Sequence, residues 1–107
     1  MISLKKKGGL RAFGQYKGKW VVMIGFKGED LPEIEPIVQS LKERYPDQGY
    51  NIMNSKFPAY TFILACFADT RDQAHKIGMA LVRKELPEHL HLLYWVKEAS
   101  LVKYNVE

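Results

Sequence analysis

The ten residues from Ala59 to Ala68, AYTFILACFA, contain no charge, no glycine and no proline. Half of them are β-branched or aromatic, and apolar side chains occupy both alternation sets. That is the pattern of a strand covered on both faces. A second run, Trp20 to Phe26 within KWVVMIGFK, has the same character. Two such strands belong side by side in the middle of one sheet, and the remaining segments are read as what surrounds them.

The chain begins with Met1 to Leu4, which can start a short strand. Lys5-Lys6-Lys7-Gly8-Gly9 then breaks any regular pattern through like-charge repulsion and a flexible joint. Leu10 to Tyr16 alternates as a strand would. Lys17-Gly18-Lys19 between it and Trp20 is a three-residue hairpin signal. After the first central strand, Asp30 and Glu33 form a capping-box pattern ahead of Ile34, Ile37, Val38, Leu41 and Tyr45, which recur at helical spacing. Pro36 interrupts that helix: either it starts near Glu35, or a first turn is separate and the axis bends.

Tyr50 to Phe57 reads as a weaker edge strand, and Pro58 turns the chain into the central strand. Thr70 and Gln73 form a second capping box. Ala74, Ile77, Gly78, Leu81 and Val82 are the buried stripe of the helix that follows, and Pro87 stops it. A glycine inside a helix costs about 1 kcal/mol against alanine, so Gly78 implies a close approach by the sheet. His89 to Val96 is the expected last strand, and Lys97 to Glu107 is a tail with room for one more extended segment.

The resulting order is the βαββαβ arrangement of ferredoxin-like domains. The expected fold is α+β, an antiparallel sheet with two helices on one face, plus an extra N-terminal strand or arm. At 107 residues the chain forms a single domain, with residues 1–18 as a basic arm or hairpin and 19–100 as the ferredoxin-like core. In that order the strand from Trp20 has a neighbour on each side. A hairpin partner at Leu10 to Tyr16 therefore either packs elsewhere as an arm or moves the last strand to a different edge.

Charge is unevenly placed. Residues 1–28 carry seven basic groups and no acid, whereas residues 29–107 carry nine basic and twelve acidic groups. A basic segment on a mildly acidic body is the footprint of a surface that meets phosphates or another polyanion. The competing account is lysines that merely solubilise an edge or an arm. Cys66 is the only cysteine and sits in the most apolar strand, so it is expected to be a small buried hydrophobe in a reducing compartment, the cytoplasm. No apolar run reaches the roughly eighteen residues of a membrane helix, and no signal-peptide core is evident.

Placing Ile63, Ala65 and Phe67 toward the helices leaves Tyr60, Phe62, Leu64 and Cys66 on the other side, where Trp20, Val22, Ile24 and Phe26 can join them. An open face of that kind exposes several hundred Å² of apolar sheet, more than soluble monomers usually tolerate. A second copy, the N-terminal segment, or a ligand with flat apolar surfaces is expected to cover it. Ala59-Tyr60-Thr61-Phe62-Ile63 resembles part of the strand-three signature of RNA recognition motifs, whose aromatics two apart stack on bases. Pro58 and Ala59 stand where that signature has a basic residue and a glycine. The resemblance implies Tyr60 and Phe62 as stacking rings; the alternative is that both are core or dimer-interface residues.

His89-Leu90-His91 resembles the His-hydrophobic-His motif of rolling-circle nucleases and relaxases, which implies His89 and His91 as metal ligands on one face of a strand. Those enzymes also use a tyrosine on a helix, and Tyr104 lies in no helical pattern. Paired surface histidines are the competing account. Glu33 and Glu35 do not face each other on a helix. Glu85 and Glu88 straddle Pro87, and His75 stands on the second helix as an exposed residue without an evident partner. No glycine loop lies between a strand and a helix.

The leading expectation is a small non-enzymatic nucleic-acid-binding protein, with single strands favoured. Lys5, Lys6, Lys7, Arg11, Lys17 and Lys19 contact phosphates, and Tyr60 and Phe62 supply an aromatic sheet face. It needs no cofactor and no catalytic residue, and a homodimer is the expected assembly. The alternative is a dimeric protein-interaction or regulatory module docking on an acidic partner surface. A third reading, a small enzyme with an apolar pocket between sheet and helices, points to Tyr50, His91 and Tyr94.

Overall fold

The computed structural model describes residues 10–12, 18–56, 58–99 and 103–105, with the first and last of these segments described by backbone alone. The elements are β1 (Leu10–Ala12), β2 (Trp20–Phe26), α1 (Leu31–Arg44), β3 (Asn51–Asn54), β4 (Phe62–Ala68), α2 (Arg71–Ala80), β5 (Tyr94–Glu98) and β6 (Lys103–Asn105). This is a mixed α+β protein. β2 and β4 lie at the centre of a four-stranded antiparallel sheet of order β3-β4-β2-β5. Among the described residues no helix is long and apolar enough to cross a membrane.

The N-terminal strand is not a hairpin partner of β2. β1 pairs with β6 in a separate two-stranded ribbon, Arg11 opposite Tyr104, which leaves β5 beside β2. Residues 13–17 of the expected hairpin lie outside the described residues.

Local signals explain the helix ends only in part. α1 has no capping box: a 3₁₀ turn at Gly28–Asp30 runs straight into it, and Asp30 makes no side-chain cap. The helix also continues through Pro36. It therefore neither starts near Glu35 nor splits off a first turn, and forgoes the bond that an amide at position 36 would donate to the Pro32 carbonyl. At α2, Thr70 Oγ1 accepts from the Gln73 amide at 3.1 Å, but the Gln73 side chain accepts from Asp69 N at 3.2 Å rather than from Thr70. Past Ala80 the helix widens into a π turn over Leu81–Glu85, closed by Leu86 N donating to Leu81 O at 2.8 Å. Insertions of this kind reorient the turn that follows.

Both faces of the sheet are buried, with the expected assignment reversed. Val22, Ile24 and Phe26 of β2 and Leu64, Cys66 and Ala68 of β4 face the helices, packing with Ile34, Val38 and Leu41 of α1, Ala74 of α2, and Leu81. The opposite face consists of Val21, Met23, Ile63, Ala65 and Phe67, with Ala99, Met53 and Trp95 among them. None of those five is more than 7% exposed in the isolated chain. The face expected to be bare is therefore buried in the isolated chain.

Candidate functional site

Of the six cations expected to meet phosphate, only Lys19 has a described side chain. Its Nζ lies 2.6 Å from Asp69 Oδ1, across the start of α2, with both groups exposed to solvent. Lys19 is thus neutralised within the body. Arg11 sits on the β1–β6 ribbon, where the register also brings Lys103 opposite Ala12. Lys5, Lys6, Lys7 and Lys17 lie outside the described residues.

Tyr60 and Phe62 do not form a shared platform. Phe62 turns to the helix side and stacks on Phe26, ring centroids 5.6 Å apart. Tyr60 precedes β4 and crosses Gly25, with its ring 6.0 Å from that of Trp95. Trp95 belongs to the cluster on the opposite face, so the two rings serve different sides of the sheet. The chain does not follow regular strand alternation here because Thr61 lies outside the strand: its amide donates to Phe26 O and its carbonyl accepts from Ser55 N.

The histidine pair is also separated. β5 starts at Tyr94, so His89 falls in a 3₁₀ turn, Glu88–Leu90, and His91 adopts a left-handed backbone with φ 51°. Alternation of two along a strand no longer applies, and the metal-site geometry is lost. His89 Nε2 instead lies 3.2 Å from Glu33 Oε1 of α1. Among the described residues no group of three or more His, Cys, Asp or Glu is arranged to hold a metal. His75 is half-buried rather than exposed, and its Nδ1 lies 3.2 Å from Tyr94 Oη.

Among the described residues, convergent chemistry gathers in a cleft of about 210 Å³ between the end of α1 and α2. Leu41, Tyr45, Tyr50, Ile77 and Leu81 give it an apolar lining, and Gln48, Gln73, Lys76 and Glu85 add polar groups. The turn Pro46–Gln48 followed by left-handed Gly49 (φ 67°) places Gln48 and Tyr50 on either side of a chain reversal. Gln48 Oε1 is buried without a hydrogen-bond partner. Arg44 closes one end, donating to Glu85 Oε1 at 2.7 Å while its guanidinium lies 5.3 Å from the Tyr45 ring centre. A wider groove of about 690 Å³, between α1 and β3, holds no such orphan group.

Burial pushes the Tyr50 hydroxyl well above the ordinary phenol range, reinforced by its hydrogen bond with the Cys66 thiol. The thiol itself is pushed up to about 12 by burial, against which the Tyr50 contact works. Neither group ionises near neutrality, so neither is a nucleophile or base there. Of the three pocket residues expected from sequence, Tyr50 lines the cleft and His91 and Tyr94 do not. Gln48 and Glu85 carried no sequence signal beyond a turn and a helix end.

No protein-family model matches this chain, and neither a curated protein nor a solved structure does.

Proposed function

We propose that this is a small non-enzymatic protein that binds nucleic acid through its basic leading segment, with the sheet and helices as a rigid body behind it. The observation that carries the reading is the run of seven basic groups and no acid in residues 1–28, set against an acid-rich remainder. Backbone pairing supports it: the β1–β6 ribbon joins Arg11 to a segment that brings in Lys103 and contains no acid. Lys5, Lys6, Lys7, Arg11 and Lys17 are the proposed phosphate contacts, without Lys19, which Asp69 engages, and without stacking on Tyr60 and Phe62. The strand order β3-β4-β2-β5 and two helices packed on one face support a ferredoxin-like core. The buried single thiol supports a reducing, cytoplasmic setting.

Fluorescence anisotropy with a labelled single strand and a labelled duplex tests the proposal. The logarithm of affinity should fall against the logarithm of salt by roughly 0.7 to 0.9 per phosphate contacted, and the single strand should bind more tightly. A flat salt response removes the reading. An acidic protein partner, the second reading on the same charge asymmetry, would survive nuclease treatment of an extract, whereas a nucleic acid would not.

A further inference from the structure

We infer that the cleft between α1 and α2 is a binding site for a small, flat aromatic molecule that carries an N–H or O–H donor. Size sets the first limit. A cavity of about 150 Å³ lined by apolar side chains accommodates benzene, so the 210 Å³ here suits one substituted ring or a fused pair. The lining sets the second: Leu41, Ile77 and Leu81 offer apolar contact, and the Tyr45 ring offers a partner for a π face.

Polar groups set the rest. Gln48 Oε1 is an acceptor held out of water with nothing donating to it, an arrangement seldom left uncompensated. The terminal torsion of a glutamine amide is soft, so the oxygen turns readily toward a donor entering the cleft. Glu85 adds a second acceptor to the lining, its charge balanced by Arg44 and by Lys76 of the same lining. A ligand therefore meets acceptors in the Gln48 and Glu85 side chains and a hydrocarbon wall in Leu41, Ile77 and Leu81. Donor-bearing and flat is the chemistry left.

A ¹⁵N-resolved NMR titration of the whole chain, with indole and with benzofuran, tests the inference. The two probes have nearly the same shape, and only indole carries an N–H. Indole should shift the amides of Tyr45, Gln48, Ile77 and Leu81 and bind about tenfold more tightly than benzofuran, the scale of one hydrogen bond to an otherwise unpaired buried acceptor. Gln48→Leu should abolish that difference while benzofuran still binds, and Ala80→Phe should block both probes. Equal affinity of the two probes for the unaltered protein, or no shift in the cleft with either, overturns the inference. Because that comparison uses the native chain, it holds even if a substituted chain fails to fold.

Discussion

Gly78 of α2 lies directly against the ring of Tyr94 on β5, and a β-carbon built on it would fall inside the van der Waals surface of that ring. The helix and the strand meet at this point because the glycine has no side chain. Alanine would gain about 1 kcal/mol of helix propensity, but overpacking a closed contact costs about 1–3 kcal/mol. Tyr94 is also held by His75, which leaves its ring little room to swing away. Gly78→Ala should therefore lower stability by up to about 2 kcal/mol net, measured by urea denaturation; a raised midpoint would contradict the packing described.

Phe62 stacks on Phe26 in the helix-side core and is only partly accessible. Phe62→Ala should cost about 2–3 kcal/mol, at or just below the low end of the range for a fully buried aromatic because the ring is only partly buried. The salt slope and affinity for a labelled single strand should stay as they were, provided both are measured where the variant is folded. A large loss of affinity with little loss of stability would instead make Phe62 a stacking ring.

Cys66 and Tyr50 give the fold an alkaline limit. Both groups have pKa values raised by burial, that of Cys66 from 9.0 to about 12, so between those values the folded chain holds a proton that the unfolded chain has released. Stability from this source is complete below pH 9 and is lost as pH rises through the folded value. Near pH 10 the slope should approach about 1.4 kcal/mol per pH unit for the thiol alone, and Tyr50 adds to it above pH 10. Urea midpoints at several pH values from 8 to 11 should show the decline, and Cys66→Ala should flatten its first part.

Lys19 and Asp69 are an exposed pair. Lys19→Ala should change stability by less than about 0.5 kcal/mol and leave the salt slope of oligonucleotide binding nearly intact. Replacing Lys5, Lys6 and Lys7 together by alanine should reduce that slope by roughly 2 to 3. A fall of roughly 0.7 to 0.9 in the slope for Lys19→Ala alone would show that Lys19 leaves Asp69 for the ligand.

The central strands were legible because no other element explains charge-free runs with both alternation sets apolar. The same property hid which set meets the helices: Leu64 and Ile63 are equally apolar, and only α1 and α2 packing selects between them. β5 was placed too early because HLHLLYWV lacks a phase, while His91 takes a left-handed backbone that breaks the strand before Tyr94. Pairing of β1 with β6 joins segments at opposite ends of the sequence and leaves no local mark. The orphan oxygen of Gln48 was invisible for a related reason. Its burial depends on α2 and the π turn, far along the chain, whereas locally it is an ordinary turn residue.

β2 is synthesised before either of its neighbours, and the register Trp20↔Glu98 spans most of the polypeptide. A nascent chain that has not yet reached Tyr94 carries a long apolar strand with one edge unclaimed, the condition under which sheets recruit strands from other molecules. Closure of the sheet is therefore a late, non-local event. Its slowness leaves the newborn protein vulnerable to aggregation until its last strand arrives.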